Sequence, residues 1–410
     1  MAQDIETNPE YGLARELMER MVENSQRPGE GNLKFVETIG SYLTKNSFEI
    51  NVTPDPEYHD RALLVVEIGD PKGEQVLAAI SHSDVVGIEG QNWLRDPWKL
   101  TEEDDRWFGR GVCDTHGSGV AMLLAGRRPE VIKALKDANK RVSIIFTSDE
   151  EAAEAGLSYR GAKLAAGKLG TDTAITARYF IAGEPTEIDG NITAMRSHKG
   201  RWLAHVALSV EHSGHAADDV QNAFGLGADI IYMINQYGRR LRYDAHEKHQ
   251  ESIFSPGYST VQVTAATVKQ GDFSTTPDFA RFTIDLRMLP EEHDLRIDEI
   301  QQIIATDLME PEVKIGLEVI DEFRGTTTRT DSQIVKLAEA ATSQIAKGFN
   351  GGDEGEVLRT AGKEGVTIGP GQLKFAHMPN EEIEISSVFK AADIYSYLFS
   401  NAVELNNVNK

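Results

Sequence analysis

Apolar spacing sets the first boundaries. Leu13, Leu17 and Met21 recur every four residues, and Leu33, Val36 and Leu43 are spaced by three and seven, which predicts two amphipathic helices early in the chain. Four short apolar runs follow, at 62–66, 76–80, 142–146 and 179–182. They are too short for helices and too uniformly apolar for strands with one wet face. They predict buried strands of a mixed α/β sheet.

From about 192 to 324 the texture changes to strand, helix, two strands, helix, strand. The first helix carries Leu226, Ile230, Met233 and Tyr237 on one stripe. The middle strands fall near 260–267 and 279–286, and the second helix near 295–309. That β-α-β-β-α-β order predicts two helices on a four-stranded sheet. Helical spacing returns with Ile334, Leu337 and Ala341. A last helix carries Val388, Ala391, Tyr395, Leu398 and Ala402, with Ser386–Ser387 expected as its cap. The expected fold class is therefore α/β. A domain with a mixed central sheet flanked by helices, 1–191 and 325–410, is interrupted by a smaller insert, 192–324.

Composition changes this picture only in what it excludes. The chain has 410 residues with 42 Lys and Arg against 65 Asp and Glu, a net charge of −23. A surface that negative repels phosphate, so neither nucleic acid nor an anionic membrane is expected as a partner. No apolar run approaches the ~18 residues that span a bilayer, and the first residues lack a signal-peptide pattern. The single cysteine, Cys113, excludes an intrachain disulfide and fits a reducing, cytoplasmic setting. There is no G-x-S-x-G or H-E-x-x-H motif. The Gly-Lys pairs at Gly167 and Gly362 do not complete a phosphate loop.

Three of the apolar runs lead straight into metal-ligand residue types: Ser81-His82-Ser83-Asp84, Thr147-Ser148-Asp149-Glu150-Glu151 and Gly183-Glu184-Pro185-Thr186. Ligands of open α/β sheets collect beyond the carboxyl ends of strands, so three such ends suggest a shared site for a hard-to-borderline cation. His82 and Asp84, two apart, share a face of extended chain, so Asp84 is expected to accept the second ring N–H of His82. Glu150-Glu151 offers one carboxylate to coordinate and one to carry protons. Taken alone, each has a plainer alternative: a surface loop for the first and an acidic helix start for the second. Asp114 adds a carboxylate in the glycine-rich turn Gly109–Gly117 entering a helix. His377 follows Gly369-Pro370-Gly371 in Ala376-His377-Met378-Pro379-Asn380-Glu381.

In this order, these blocks resemble the M20 metallopeptidase and deacylase family, most closely the acetylornithine deacetylase and succinyl-diaminopimelate desuccinylase branch. The resemblance runs from about 76 to 382 and includes Ser213–Ala216 and Asp285–Pro290. It implies a catalytic domain interrupted by a lid and dimerisation domain. It also implies one or two divalent ions per subunit, with Zn, Mn or Co all suited to the ligands. Asp114 would bridge, His82 and Glu184 would complete one position, and Glu151 and His377 the other. Glu150 would be the general base, with Asp84 supporting His82. His215 would reach the partner subunit's site and stabilise the oxyanion. Arg287 would hold a substrate carboxylate, with a structural pair to Asp285 as the competing reading.

Four positions depart from the common family pattern: Ser81, His116, Ser274 (where the lid usually has a substrate-holding asparagine) and Gly351–Gly355. None removes a metal ligand or the base. The implied activity is hydrolysis of a C–N bond in a small carboxylate-bearing substrate, N-acyl amino acids first. The alternatives are an aminohydrolase releasing ammonia from an amino-substituted acid, and a dipeptidase or aminopeptidase. A non-catalytic binder fits poorly, because every ligand and the base are retained. A homodimer or higher homo-oligomer is expected.

Overall fold

Each of the four apolar runs forms a strand, and their uniform apolarity follows from two covered faces. In a strand, successive side chains point to opposite sides. Leu64 and Val66 enter a core with the larger helices, while Leu63 and Val65 enter a second core on the other face. Leu77 and Ala79 divide from Ala78 and Ile80 in the same way. Burying each larger side chain stabilises the fold by roughly 1.5–3 kcal/mol.

The structure, a computed structural model, describes residues 7–27, 29–152, 156–247, 252–269, 273–306 and 313–406. The chain divides into two compact units, one of 1–197, 328–347 and 353–410, the other of 198–327 and 348–352. The first unit begins with helices α1 (Tyr11–Glu23) and α2 (Leu33–Lys45), then strands β1 (Glu49–Pro54), β2 (Ala62–Gly69) and β3 (Glu74–His82). A small hairpin, β4 (Thr101–Glu103) and β5 (Arg106–Phe108), leads to α3 (Gly117–Arg127), α4 (Pro129–Asp137), β6 (Lys140–Thr147), β7 (Tyr179–Ala182) and β8 (Met195–His198).

The second unit runs β9 (Gly200–Val210), α5 (Ala223–Glu247), β10 (Thr260–Val268), β11 (Phe279–Met288), α6 (His293–Thr306) and β12 (Val313–Phe323). Its sheet is antiparallel in the order β10-β11-β9-β12. Trp202, Ala204, Val206 and Leu208 alternate along β9 to face Ile230 and Ile234 of α5 and Ile300 of α6. The part of the second helix expected at 307–309 lies outside the described residues.

The chain then returns to the first unit with α7 (Gln333–Thr342), α8 (Gly355–Thr360), β13 (Glu364–Thr367), β14 (Glu382–Glu384) and α9 (Ile385–Asn401). Its sheet reads β1-β2-β6-β3-β7-β13-β8. The four central strands β6, β3, β7 and β13 are mutually parallel, with antiparallel neighbours outside.

The expected cap of the last helix is corrected. The helix starts at Ile385, so Ser386 and Ser387 lie within its first turn. Ser387 Oγ instead donates to Glu187 and accepts from Gly371 N at 3.2 Å. Among the described residues, no helix is long and apolar enough to cross a membrane.

Candidate metal centre

Four parallel strands finish at one edge of the first unit's sheet, and three of them deliver the acidic and imidazole groups there. β3 ends in His82 itself, β6 runs into Asp149–Glu151, and β7 is followed by Gly183 and Glu184. Asp114 comes from the turn before α3, and His377 from the loop before β14. His82 Nε2 lies 3.1 Å from Asp114 Oδ1 and 3.7 Å from Glu184 Oε1. His377 Nε2 lies 3.2 Å from Asp114 Oδ2 and 2.6 Å from Glu151 Oε1. The two oxygens of Asp114 thus face different imidazoles.

Among the described residues, ligand atoms within 4.8 Å of one another form three groups: His82, Asp114 and Glu184; Asp114, Glu151 and His377; and His82, Glu150 and Glu151. Cys113, beside Asp114, is buried and its Sγ lies 3.6 Å from Gln372 O. Carboxylate oxygen and imidazole nitrogen together suit a divalent cation of Zn, Mn or Co type.

The charge balance calls for a cation. Burial pushes the Glu150 carboxyl well above its ordinary range, and the Glu151 charge adds to this. Burial and the Asp114 charge push Glu184 the same way. Burial alone would raise Asp114, but hydrogen bonds from His377 and His82 outweigh it and hold that carboxyl well below. His377 is raised to about 11 by the Glu151 and Asp114 carboxylates, which outweigh the partial desolvation of its ring. With only protons available, the carboxylates and imidazoles can settle only by exchanging them, whereas a divalent ion compensates the same negative charge directly.

Local structure explains why these side chains converge. Asp114 sits in a kinked turn, Val112–His116, where its own backbone leaves the helical region at φ −122° and ψ 90°, and the turn is entered through Gly111 in the left-handed region at φ +90°. A Cβ at Gly111 would lie 2.7 Å from the His116 ring and from Val85 Cγ1, so only glycine fits. Ser81 Oγ donates to Thr115 O at 3.3 Å, tying β3 to that turn. His116 is buried, 2.8 Å from Ser25 Oγ and stacked on Phe35. Its burial, with the His82 charge, pushes its pKa down to about 3.

The Glu150–Glu151 segment is a bend rather than a helix start. Asp149 anchors it, accepting from Arg61 Nε at 2.9 Å and from Gln26 Nε2 at 2.9 Å.

The expected role of the Asp84 carboxylate is corrected. His82 Nδ1 lies 2.9 Å from the main-chain oxygen of Asp84, while its carboxylate Oδ1 is 3.7 Å away. The carboxylate turns to the next strand end, where Oδ2 accepts from Glu151 N at 2.7 Å. The backbone carbonyl is thus the nearer and better acceptor for the ring.

His215, Ser274 and Arg287 belong to the second unit. His215 is exposed, bridges to Thr275, and its Nδ1 accepts from Ala217 N at 3.1 Å. Ser274 is exposed and its carbonyl accepts from Ala216 N at 2.7 Å. Arg287 forms two hydrogen bonds to Asp285, at 2.7 and 3.1 Å, the geometry of the competing structural pair. In the 351–355 loop, Asp353 and Glu354 are buried; Asp353 Oδ1 accepts from Gly355 N at 2.8 Å.

The residues that support the ligands pair across long stretches of sequence. Arg110 and Glu381 pair at 2.8 Å although 271 positions apart, and Asp149 and Arg61 are 88 apart. Neither pair has a local signature.

The family model for peptidase family M20/M25/M40 matches residues 78–401. The chain belongs to this family. As an M20 member it is a metal-dependent hydrolase acting on carbon–nitrogen bonds. This M20 chain is 28% identical to the acetylornithine deacetylase of Myxococcus xanthus over 334 residues, 80% of each chain. Its fold is similar to that of a tripeptidase from Staphylococcus aureus, with TM-score 0.69 and 16% identity over 95% of this chain and 98% of that one. It is likewise similar to a dinuclear metal-binding M20 peptidase of Bacillus subtilis, with TM-score 0.67 and 14% identity over 96% and 99%.

Proposed function

We propose that the chain hydrolyses the amide bond of a small carboxylate-bearing substrate of the N-acyl amino acid class. The observation that carries this reading is Asp114, shared by the His82–Glu184 and the Glu151–His377 ligand groups, with Glu150 beside both. His82, Asp114 and Glu184 would hold one divalent ion and Asp114, Glu151 and His377 a second. A bound divalent cation supplies Lewis acidity to the attacking water and to the carbonyl under attack.

The chain's own residues then divide the work. Glu150 takes a proton from the attacking water and returns it to the leaving nitrogen, a task suited to a buried carboxyl that shares a ligand group with His82 and Glu151. Asp84 holds the backbone of Glu151, and its carbonyl fixes the tautomer of His82 with Nε2 facing Asp114. The acetylornithine deacetylase similarity at 28% identity supports an N-acyl amino acid over a peptide. His215, exposed in its own protomer, is assigned to the partner subunit's site within a homodimer, as an oxyanion donor.

The test is a metal-reconstituted screen of N-acyl amino acids, amino-substituted carboxylic acids and dipeptides, reading which fragment leaves. Release of the acyl acid supports the proposal. Release of ammonia from an amino-substituted acid, with N-acyl amino acids untouched, would replace it with the aminohydrolase reading.

A further inference from the structure

Glu381 is 1% exposed, and each of its carboxylate oxygens accepts two hydrogen bonds. Oε1 takes the main-chain N–H groups of Cys113 and Asp114, both at 2.9 Å. Oε2 takes Gly111 N at 3.0 Å and Arg110 Nη1 at 2.8 Å. An ionised carboxylate has about four acceptor positions, and here all are filled by the turn that carries Asp114.

The same arginine reaches the other side of the centre. Arg110 Nη2 donates to Gln91 Oε1 at 2.6 Å, and Gln91 Nε2 donates to His377 O at 2.9 Å. Arg110 is itself buried, with Trp93 under its guanidinium at 5.0 Å to the ring centroid. His377 needs such a tether. Its side chain is 51% exposed, it lies outside any helix or strand, and its backbone is in the left-handed region at φ +62°.

We infer that Glu381 is a positioning residue, which through Arg110 and Gln91 fixes the Asp114 turn and the His377 loop at one separation and so sets the spacing of the metal ligands. This rests on the reading of Asp114 and His377 as ligands. Its chemical logic is that of outer-shell partners, whose loss weakens metal binding about 10–100-fold while the ligands themselves remain.

The test uses the full chain, stripped by chelator and titrated with Co(II), followed by calorimetry and visible absorption. Gln91→Glu keeps an acceptor for Arg110 and for Trp93 but removes the donor to His377 O. It is expected to weaken Co(II) binding at least tenfold and to alter the visible bands, with the melting temperature unchanged. Glu381→Gln turns an amide NH2 toward two donors and is expected to weaken binding further. If that variant does not fold, Gln91→Glu, at a half-buried position, decides alone. Co(II) affinity and bands in Gln91→Glu within twofold of the parent chain would overturn the inference. A parent chain that binds no Co(II) would instead overturn the ligand reading beneath it.

Discussion

The N–H of Glu151 donates to Asp84 Oδ2 at 2.7 Å, so the residue two places after one candidate ligand holds the backbone of another, 67 positions away. The other carboxylate oxygen, Oδ1, has no hydrogen-bond partner among the described residues. The hydrogen bond to Glu151 N thus uses one oxygen of Asp84. Asp84→Asn, which keeps an acceptor, should retain activity within a few-fold, whereas Asp84→Ala should lose about 10–100-fold in kcat/KM. Steady-state kinetics of the two variants checks this, and equal losses would show that the charge rather than the hydrogen bond matters.

Glu150 shares a ligand group with His82 and Glu151 but is absent from the two groups that contain Asp114. Replacing Glu150 with Gln should lower kcat by about 10²–10⁴-fold and leave metal content unchanged. Metal analysis beside turnover separates proton transfer from coordination. Loss of the metal together with activity would make Glu150 a ligand.

Arg287 is bound to Asp285, which also accepts Arg201 Nη2 at 3.0 Å. Arg287→Met should therefore cost stability, about 1–2 kcal/mol by denaturant unfolding, and leave KM for carboxylate substrates within twofold. A tenfold rise in KM without a stability change would return Arg287 to substrate binding.

Lys199 is buried in the second unit, donating to Pro256 O at 2.9 Å and Tyr258 O at 2.8 Å. Burial, with the Arg287 charge adding to it, lowers its pKa from 10.5 to about 8. Between those values the unfolded chain holds the proton that the folded chain has released, so this group's contribution to stability rises with pH. The penalty is fully present below pH 8 and is relieved toward pH 10.5. Relative to Lys199→Met, the parent chain should gain about 2 kcal/mol from pH 7 to pH 10. Parallel unfolding curves check the difference, and a flat one contradicts it.

Much of this was legible because it rests on local periodicity. The runs at 62–66, 76–80, 142–146 and 179–182 had to be buried strands once both faces were apolar, and both faces are covered. His82, Glu150, Glu151 and Glu184 stood out because each follows such a run directly. The Asp84 geometry was not legible, since a main-chain carbonyl and a carboxylate compete for one ring N–H and only the turn decides between them. Nor was the Ser386–Ser387 position, because the chain enters α9 directly from β14 and the helix begins one residue before the serines. Glu381 was visible within its motif, but its partners at 110–114 are joined to it only by the fold.

Asp114 is the one residue common to both of the groups proposed to hold metal. Metal content after dialysis against divalent ion, measured by elemental mass spectrometry on the parent chain and on Asp114→Ala, tests the account most directly. One or two ions per parent chain, with essentially none retained and no amide hydrolysis in the folded variant, is the result expected here. A folded Asp114→Ala protein that keeps the parent's metal content and turnover would contradict it.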